Sequence, residues 1–425
     1  MYKIRSNPLS STHISKNGIK TATLQTAGGL SLIGAMFKIG SCDSDESGET
    51  FLTLQSKILE SIGKPEDCYR NGIEAHLRVF KDYSAVFLSF MKESERKANI
   101  MLDRFFSNER PSKQSIEIAQ SILTQQEAFG NIPFEQSLEG VACAASFDDP
   151  RQKINIYTNK KIDKINMKII EELKSKAMLI GTKDQERELI DLANSFRINR
   201  ANENLNEHKM IFKSGFYVEK SSHQMMYGNK LIQHADYPKI AISFPAASFK
   251  SDDYLAYKVI KNILGGGKQF SSEGIGNGLN SLLYTKALSY GCECLQCEFW
   301  PYQNNGLISI IAKVHKGSIK PLTQRIKDCI EIATKLDDEF VEMSKEQTIN
   351  SDLKHIDSHI NKMLEFGKEH LLIGESKDQN HIINSIRSLK KNKIIECIKN
   401  SFSVKPAISV IGDYDPQLIL DAWIK

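Results

Sequence analysis

Five stretches of this 425-residue chain carry residue types that could do chemistry. The densest is residues 265–279, GGGKQFSSEGIGNGL, with six Gly in fifteen positions. Glycine lowers the cost of unusual backbone angles and raises the entropy of the free chain, so this composition reads as a mobile, functional loop. Cys292, Cys294 and Cys297 form a C-x-C-x-x-C cluster of the kind that holds zinc or iron–sulfur. His355 and His359 stand four apart on a predicted helix, which would place them on one face. Acids gather twice: Asp337, Asp338, Glu339 and Glu342 open one predicted helix, and Asp43, Asp45, Glu46 and Glu49 lead into another.

Each stretch excludes some chemistry. A Walker loop needs Lys and then Ser or Thr after its last Gly, with a strand before it; here Gln269 follows Lys268 and a helix precedes. A dinucleotide fingerprint fails as well, because Ser281 stands where the third Gly after Gly276 and Gly278 is needed. On an alternating strand Cys292 and Cys294 share one face while Cys297 points to the other, and no fourth ligand is evident. No Glu follows His355, so the His pair reads as surface residues rather than a metal site. No Ser lies in a nucleophile elbow and no Cys in a reactive signature. The acids at 43–49 suit a helix N-terminus; those at 337–342 suit that role or recognition of a basic ligand equally.

The elements that must position these residues are strand pairs alternating with helix pairs. Residues 14–39 alternate in polarity with turn signals at Asn17-Gly18 and Gly28-Gly29, which predicts a hairpin of buried strands starting over 14–22. A helix is expected over 49–62, stopped by Gly63 and Pro65, then strands within 72–91 and amphipathic helices over 93–106 and 115–129. Residues 197–213 are polar and rich in Asn, as a linker is, which places a boundary near residue 210. The second half repeats the order: strands over 215–218 and 237–244, a helix over 252–264, further strands and helices, and a last strand over 407–411. The fold class is α+β, in two similar halves over 14–205 and 213–425.

Composition bounds the rest. Basic residues number 56 against 52 acidic, so there is no broad electrostatic footprint for nucleic acid. No apolar run reaches the length of a transmembrane segment. Eight scattered Cys favour a reducing compartment. Residues 1–20 hold Lys3, Arg5, Lys16 and Lys20 with no acid before Asp43, the balance of a short organelle-targeting segment, though they overlap the first strand.

At residues 265–279 the chain resembles the α subunits of mitochondrial processing peptidase, whose loop runs four Gly, Ser, Phe, Ser, Ala, two Gly, Pro, Gly, Lys, Gly, Met. Gly265, Gly266, Gly267, Phe270, Ser271, Gly274, Gly276 and Gly278 match; Lys268, Gln269, Ser272, Glu273, Ile275, Asn277 and Leu279 depart. Asn17-Gly18-Ile19-Lys20, Ile39-Gly40-Ser41, Ile356-Asp357-Ser358, Leu364-Glu365-Phe366-Gly367 and Lys405-Pro406-Ala407 through Gly412-Asp413 are similar to further family segments.

The resemblance implies the two-domain fold of this metallohydrolase superfamily and a non-catalytic subunit. Active members carry H-x-x-E-H on a helix, two His for zinc and a Glu to deprotonate water. Counted from Ser47-Gly48, those positions fall on Phe51, Leu54 and Gln55, and a third ligand would fall near Glu127 to Glu135. The chain is therefore expected to hold no metal or cofactor, and zinc is expected in a partner β subunit carrying H-x-x-E-H. The family's substrate is the basic, amphipathic presequence of imported proteins, for which Glu339, Glu342 and Glu365 are the implied acidic contacts beside the glycine-rich loop. The implied location is the mitochondrial matrix or a related organelle. The core subunits of the cytochrome bc1 complex share this fold and also lack the zinc residues, and are the alternative; the retained glycine-rich loop favours the peptidase.

Overall fold

The computed structural model describes residues 10–26, 28–41, 49–63, 65–128, 134–147, 162, 165–196, 211–219, 224–227, 230–233, 237–265, 281–287 and 291–424. They divide into two compact units, each built from separate stretches of chain: Met1–Phe129, Ile154–Asn206 and His355–Ser376 make the first, and the rest makes the second.

In the first unit β1 (Ser10–Ile14), β2 (Lys20–Leu24), β3 (Leu30–Phe37), β4 (Glu74–Val79), β5 (Ser84–Met91) and β6 (Ala177–Thr182) form one sheet, ordered β1-β2-β6-β3-β5-β4. The β2–β6 pair is parallel and the others are antiparallel. Asn17-Gly18 does turn β1 into β2, with Gly18 at φ +85° where a side chain would be strained. Gly28-Gly29 does not close a hairpin, because β6 inserts between β2 and β3. The apolar run of β3, LSLIGAMF, is what a strand covered on both faces requires.

One face of that sheet carries helices from the first half of the chain: α1 (Glu49–Ile62), α2 (Pro65–Asn71), α3 (Glu95–Phe105), α4 (Lys113–Ala128), α6 (Met167–Ser175) and α7 (Glu186–Ser195) belong to this unit. Ile33, Ala35 and Phe37 of β3 pack there with Phe51, Leu54 and Ile58 of α1 and with Met101, Leu102 and Phe105 of α3. The other face is covered by a helix from far down the chain, α12 (His359–Leu372). A Cβ on its Gly367 would lie 2.2 Å from Met36 Sδ and 3.3 Å from Ile180 Cγ2, so helix and sheet meet at a residue without a side chain.

The second unit repeats the plan. β7 (Phe216–Glu219), β10 (Lys239–Ala246), β11 (Cys292–Pro301), β12 (Gly306–Val314) and β13 (Ala407–Ile411) form a sheet ordered β11-β12-β10-β13-β7, and β8 (Gln224–Tyr227) pairs with β9 (Lys230–Gln233) in a ribbon. Read from β7, each strand matches one of the first sheet: β7–β13 is parallel like β2–β6, β13–β10 antiparallel like β6–β3, and β12 and β11 follow as β5 and β4 do. The helix after the central strand, α1 after β3, becomes α8 (Tyr254–Leu264) after β10. Further along come α9 (Leu282–Ala287), α10 (Ile319–Ala333), α11 (Asp338–Asp357), α13 (Gln379–Ser388), α14 (Lys391–Phe402) and α15 (Pro416–Ile424). Here too one face takes many helices, around Ile240, Ile242 and Phe244. The opposite face takes α5 (Phe134–Ser146) from the first half of the chain: its Leu138, Val141, Ala142 and Cys143 pack with Ala241, Trp300, Leu307 and Ile311.

The expected single boundary near residue 210 is thus corrected. It leaves α5 and α12 on the wrong side, because the apolar face of each is buried on a sheet built mostly from the other half of the chain.

Candidate functional site

The positions that would bear zinc chemistry lie on α1, whose sequence ETFLTLQSKILESI places apolar residues at helical spacing and whose end is marked by Gly63 at φ +70°. Phe51 and Leu54 are fully buried in the first unit's core, and Gln55 is half-buried. Leu52, on another side of the helix, packs with Ile116, Ala119 and Leu123 of α4. Burying side chains of this size contributes roughly 1.5–3 kcal/mol each, so this face of α1 is committed to packing. Two turns on, buried Lys57 donates to the carbonyl oxygens of Arg104 at 3.4 Å, Ser107 at 3.0 Å and Glu109 at 3.1 Å. Burial pushes that ammonium down to about 8, Lys174 adds to the push, and Glu109 and Glu60 oppose it. The side chains of Glu127 and Glu135, on α4 and α5, lie outside the described residues. Among the described residues no three His, Cys, Asp or Glu side chains gather as a metal site would require.

Two expectations about ligand geometry are corrected. His355 and His359 do not share a helix face, because α11 ends at Asp357 and Ser358 is extended before α12 begins. His355 Nε2 approaches Glu365 at 3.7 Å, whereas His359 lies against Gly28. Cys292 and Cys294 do not share a strand face either, because the register shifts between them. The shift turns Cys292 toward the same core as buried Cys297, and burial pushes the Cys292 thiol up to about 11.

Glu342 and Glu365 lie in intramolecular ion pairs. Glu342 holds Lys345 at 2.6 Å, and Glu365 holds Lys368 at 2.5 Å. On α11, Asp338 pairs with Lys391 at 2.9 Å and Glu346 with Arg387 at 2.8 Å, so this acidic helix is laced to α13 and α14. Glu339 is exposed. Glu339 and Glu342 belong to the second unit and Glu365 to the first.

Of the glycine-rich segment, Gly266, Gly267, Phe270, Ser271, Gly274, Gly276 and Gly278 lie outside the described residues, and Gly265 lies within them. Gly265 closes α8: its N–H donates to Lys261 O at 3.0 Å and its carbonyl accepts the Cys297 N–H at 3.2 Å. A Cβ there would lie 3.1 Å from Leu283 of α9, so the chain on either side of residues 266–280 is held at one place. Beside it Lys261 Nζ donates to Glu298 at 2.7 Å, and the Glu298 side chain is only 6% exposed. Burial opposes the Lys261 charge, but attraction to Glu298 and the hydrogen bond that Lys261 donates to it outweigh burial and raise the Lys261 pKa. No sequence pattern announces this pair, since its members come from a helix and a strand 37 residues apart.

No family model matches the chain. It is 23% identical over 177 residues to the mitochondrial-processing peptidase subunit alpha of Homo sapiens, covering 41% of this chain and 34% of that protein. The same subunit of Rattus norvegicus is 24% identical over 165 residues, 38% of this chain and 32% of the relative. That of Neurospora crassa is 32% identical over 87 residues, 20% of this chain and 15% of the relative. The matched part thus spans about a third, or less, of the length of these curated relatives. A protease from Helicobacter pylori shares the fold with a TM-score of 0.74 at 13% identity, over 95% of this chain and 98% of that one. The sequence matches show a partial resemblance to these subunits, and the structural match shows a shared fold. Among the described residues no helix is long and apolar enough to cross a membrane.

Proposed function

We propose that this chain is the non-catalytic, presequence-recognising subunit of a heterodimeric processing peptidase in mitochondria or a related organelle. The observation that carries this reading is the burial of Phe51 and Leu54 in the core, with Gln55 beside them, on the helix that would otherwise hold zinc and its base. Phenyl and aliphatic side chains neither ligate a metal nor accept a proton, and a catalytic zinc needs about three protein ligands with an open position for water. The likeness to processing-peptidase α subunits and the matches in the glycine-rich segment supply the role that remains: holding a basic, amphipathic presequence for a partner that brings zinc and H-x-x-E-H.

Metal analysis and a presequence cleavage assay, each run on the single chain and on the reconstituted pair, test this. The single chain is expected to hold no stoichiometric zinc and cleave nothing, while the pair cleaves and a chelator stops it. One zinc per isolated chain with chelator-sensitive cleavage defeats the reading.

A further inference from the structure

The end of α12 is docked on the first sheet through one buried imidazole. Its last turn closes with the N–H groups of Ile373 and Gly374 both donating to Glu369 O, at 2.8 and 3.1 Å, and Gly374 at φ +102° turns the chain out of the helix. The Gly374 carbonyl then receives two donors, Lys20 Nζ of β2 at 2.5 Å and His370 Nδ1 at 3.4 Å, and Lys20 also reaches His370 O at 3.3 Å. A carbonyl oxygen only accepts, so it fixes Nδ1 as the nitrogen that carries the proton. Nε2 is left as a bare acceptor, buried and without a hydrogen-bond partner among the described residues. His370 is only 8% exposed, and its ring meets Phe366 edge-on at a centroid distance of 4.5 Å.

A second proton on this ring would create a buried N–H without an acceptor and a buried charge without a partner, both of which cost far more than the neutral ring. The strands on which α12 packs offer that charge no relief: β3 and β6 carry no ionisable side chain, and β2 carries only Lys20, itself a cation. On α12, His359 and Lys362 lie further up the helix, Glu365 holds Lys368, and Glu369 accepts from Ser376 at 2.5 Å. Burial and then Lys20 hold the His370 pKa below the ordinary 6.5, and the Gly374 carbonyl and Glu375 oppose them. We propose that His370 is an acid-sensitive latch: its protonation releases the last turns of α12 from β2 and uncovers the apolar face of the first sheet around Met36 and Ile180. This inference is independent of the proposed function. Linkage sets its direction. The docked helix accepts the neutral ring, whereas the released helix takes up a proton near the ordinary histidine pKa of 6.5. Docking is therefore at full strength above that pH and weakens as the pH falls below it, until the docked ring takes the proton as well.

Hydrogen exchange on the intact chain at about pH 7.5 and about pH 5.5, corrected for the intrinsic pH dependence of exchange, tests this. Helix α1 is the internal reference, because it covers the opposite face of the same sheet and contains no His. The opening equilibrium at the end of α12 is expected to rise about five- to tenfold on acidification, with increased binding of a hydrophobic dye, while that of α1 barely moves. His370→Asn keeps a donor for the Gly374 carbonyl and cannot take a charge, so its α12 is expected to open equally at both pH values. Lys20→Met removes the neighbouring cation, so it is expected to loosen α12 at both pH values yet to shrink the acid response. An acid response in His370→Asn equal to that of wild type overturns the latch, as does a wild-type α12 that responds no more than α1. Should His370→Asn not fold, NMR titration of the wild-type ring decides: a His370 pKa below 6.5 that rises in Lys20→Met is expected, and one at or above 6.5 in wild type overturns the proposal.

Discussion

Lys57 shows how much a single side chain on α1 constrains. Its ammonium is buried beneath carbonyl groups at the end of α3, and its pKa is pushed down to about 8 from 10.5. Between those two values the unfolded chain keeps a proton that the folded chain has released, so raising the pH favours the fold; below about pH 8 both states are charged and the dependence vanishes. Wild type is therefore expected to gain up to roughly 3 kcal/mol relative to Lys57→Met across that window, read from chemical unfolding at successive pH values. Parallel curves for the two proteins would show that the carbonyl oxygens hold the charge at its ordinary pKa. The acids are predicted at the same scale. On the proposed function, reversal at Glu365, or at Glu339 with Glu342, is expected to raise the KM of the reconstituted pair about two- to fivefold for Arg-containing presequences, an effect that shrinks with added salt because such pairs are partly exposed. Equal losses for Arg-free peptides would mean that Glu342 and Glu365 only serve Lys345 and Lys368.

At the scale of elements, local signals were legible wherever the chain decides for itself. The helix over 49–62 is found at those bounds, because Phe51, Leu54 and Ile58 repeat at helical spacing and Gly63 stops it. Strands β4, β5 and β13 likewise stand within the ranges their alternation predicts. What the sequence hides is pairing between distant strands: nothing near Gly28-Gly29 tells that β6, more than 140 residues away, inserts beside β3. The bulge that turns Cys292 and the break at Ser358 are equally silent, since no Gly or Pro stands between Cys292 and Cys294 or at Ser358. The same holds for Lys261 and Glu298, whose meeting depends on α8 lying across β11. Gly367 is legible only in retrospect, as the residue that lets α12 reach the sheet. Gly367→Ala is expected to cost roughly 1–3 kcal/mol by crowding Met36, less the ~1 kcal/mol that alanine gains in a helix. Combined with Met36→Ala it should lose less than the two single losses added together, as contacting residues do. Additive losses in urea unfolding would mean that α12 does not approach β3 at this glycine.

At the scale of the molecule the two sheets repeat one strand order, and each receives the helix that covers its second face from the other half of the chain. This reciprocal exchange bears on how the protein folds. A fragment of residues 1–206 carries β2, β3 and β6 without α12, leaving Leu32, Met36 and Ile180 uncovered, and it carries α5 without the sheet on which Leu138, Val141 and Cys143 are buried. A fragment of residues 207–425 lacks α5 and exposes Ala241, Leu307, Ile311 and Trp300, while its own α12 has no sheet to lie on. Each fragment then presents an apolar face larger than a soluble monomer tolerates. Expressed alone, both fragments are expected to aggregate or to bind a hydrophobic dye; expressed together, they are expected to recover a soluble complex, since neither exchanged helix needs a covalent link to its sheet. Circular dichroism and gel filtration of the separate and mixed fragments decide this. A fragment of residues 1–206 that is monomeric, cooperative in its melt and dark to the dye would mean that α12 is dispensable to the first sheet, and that the halves are as separable as the Asn-rich stretch near residue 210 suggests.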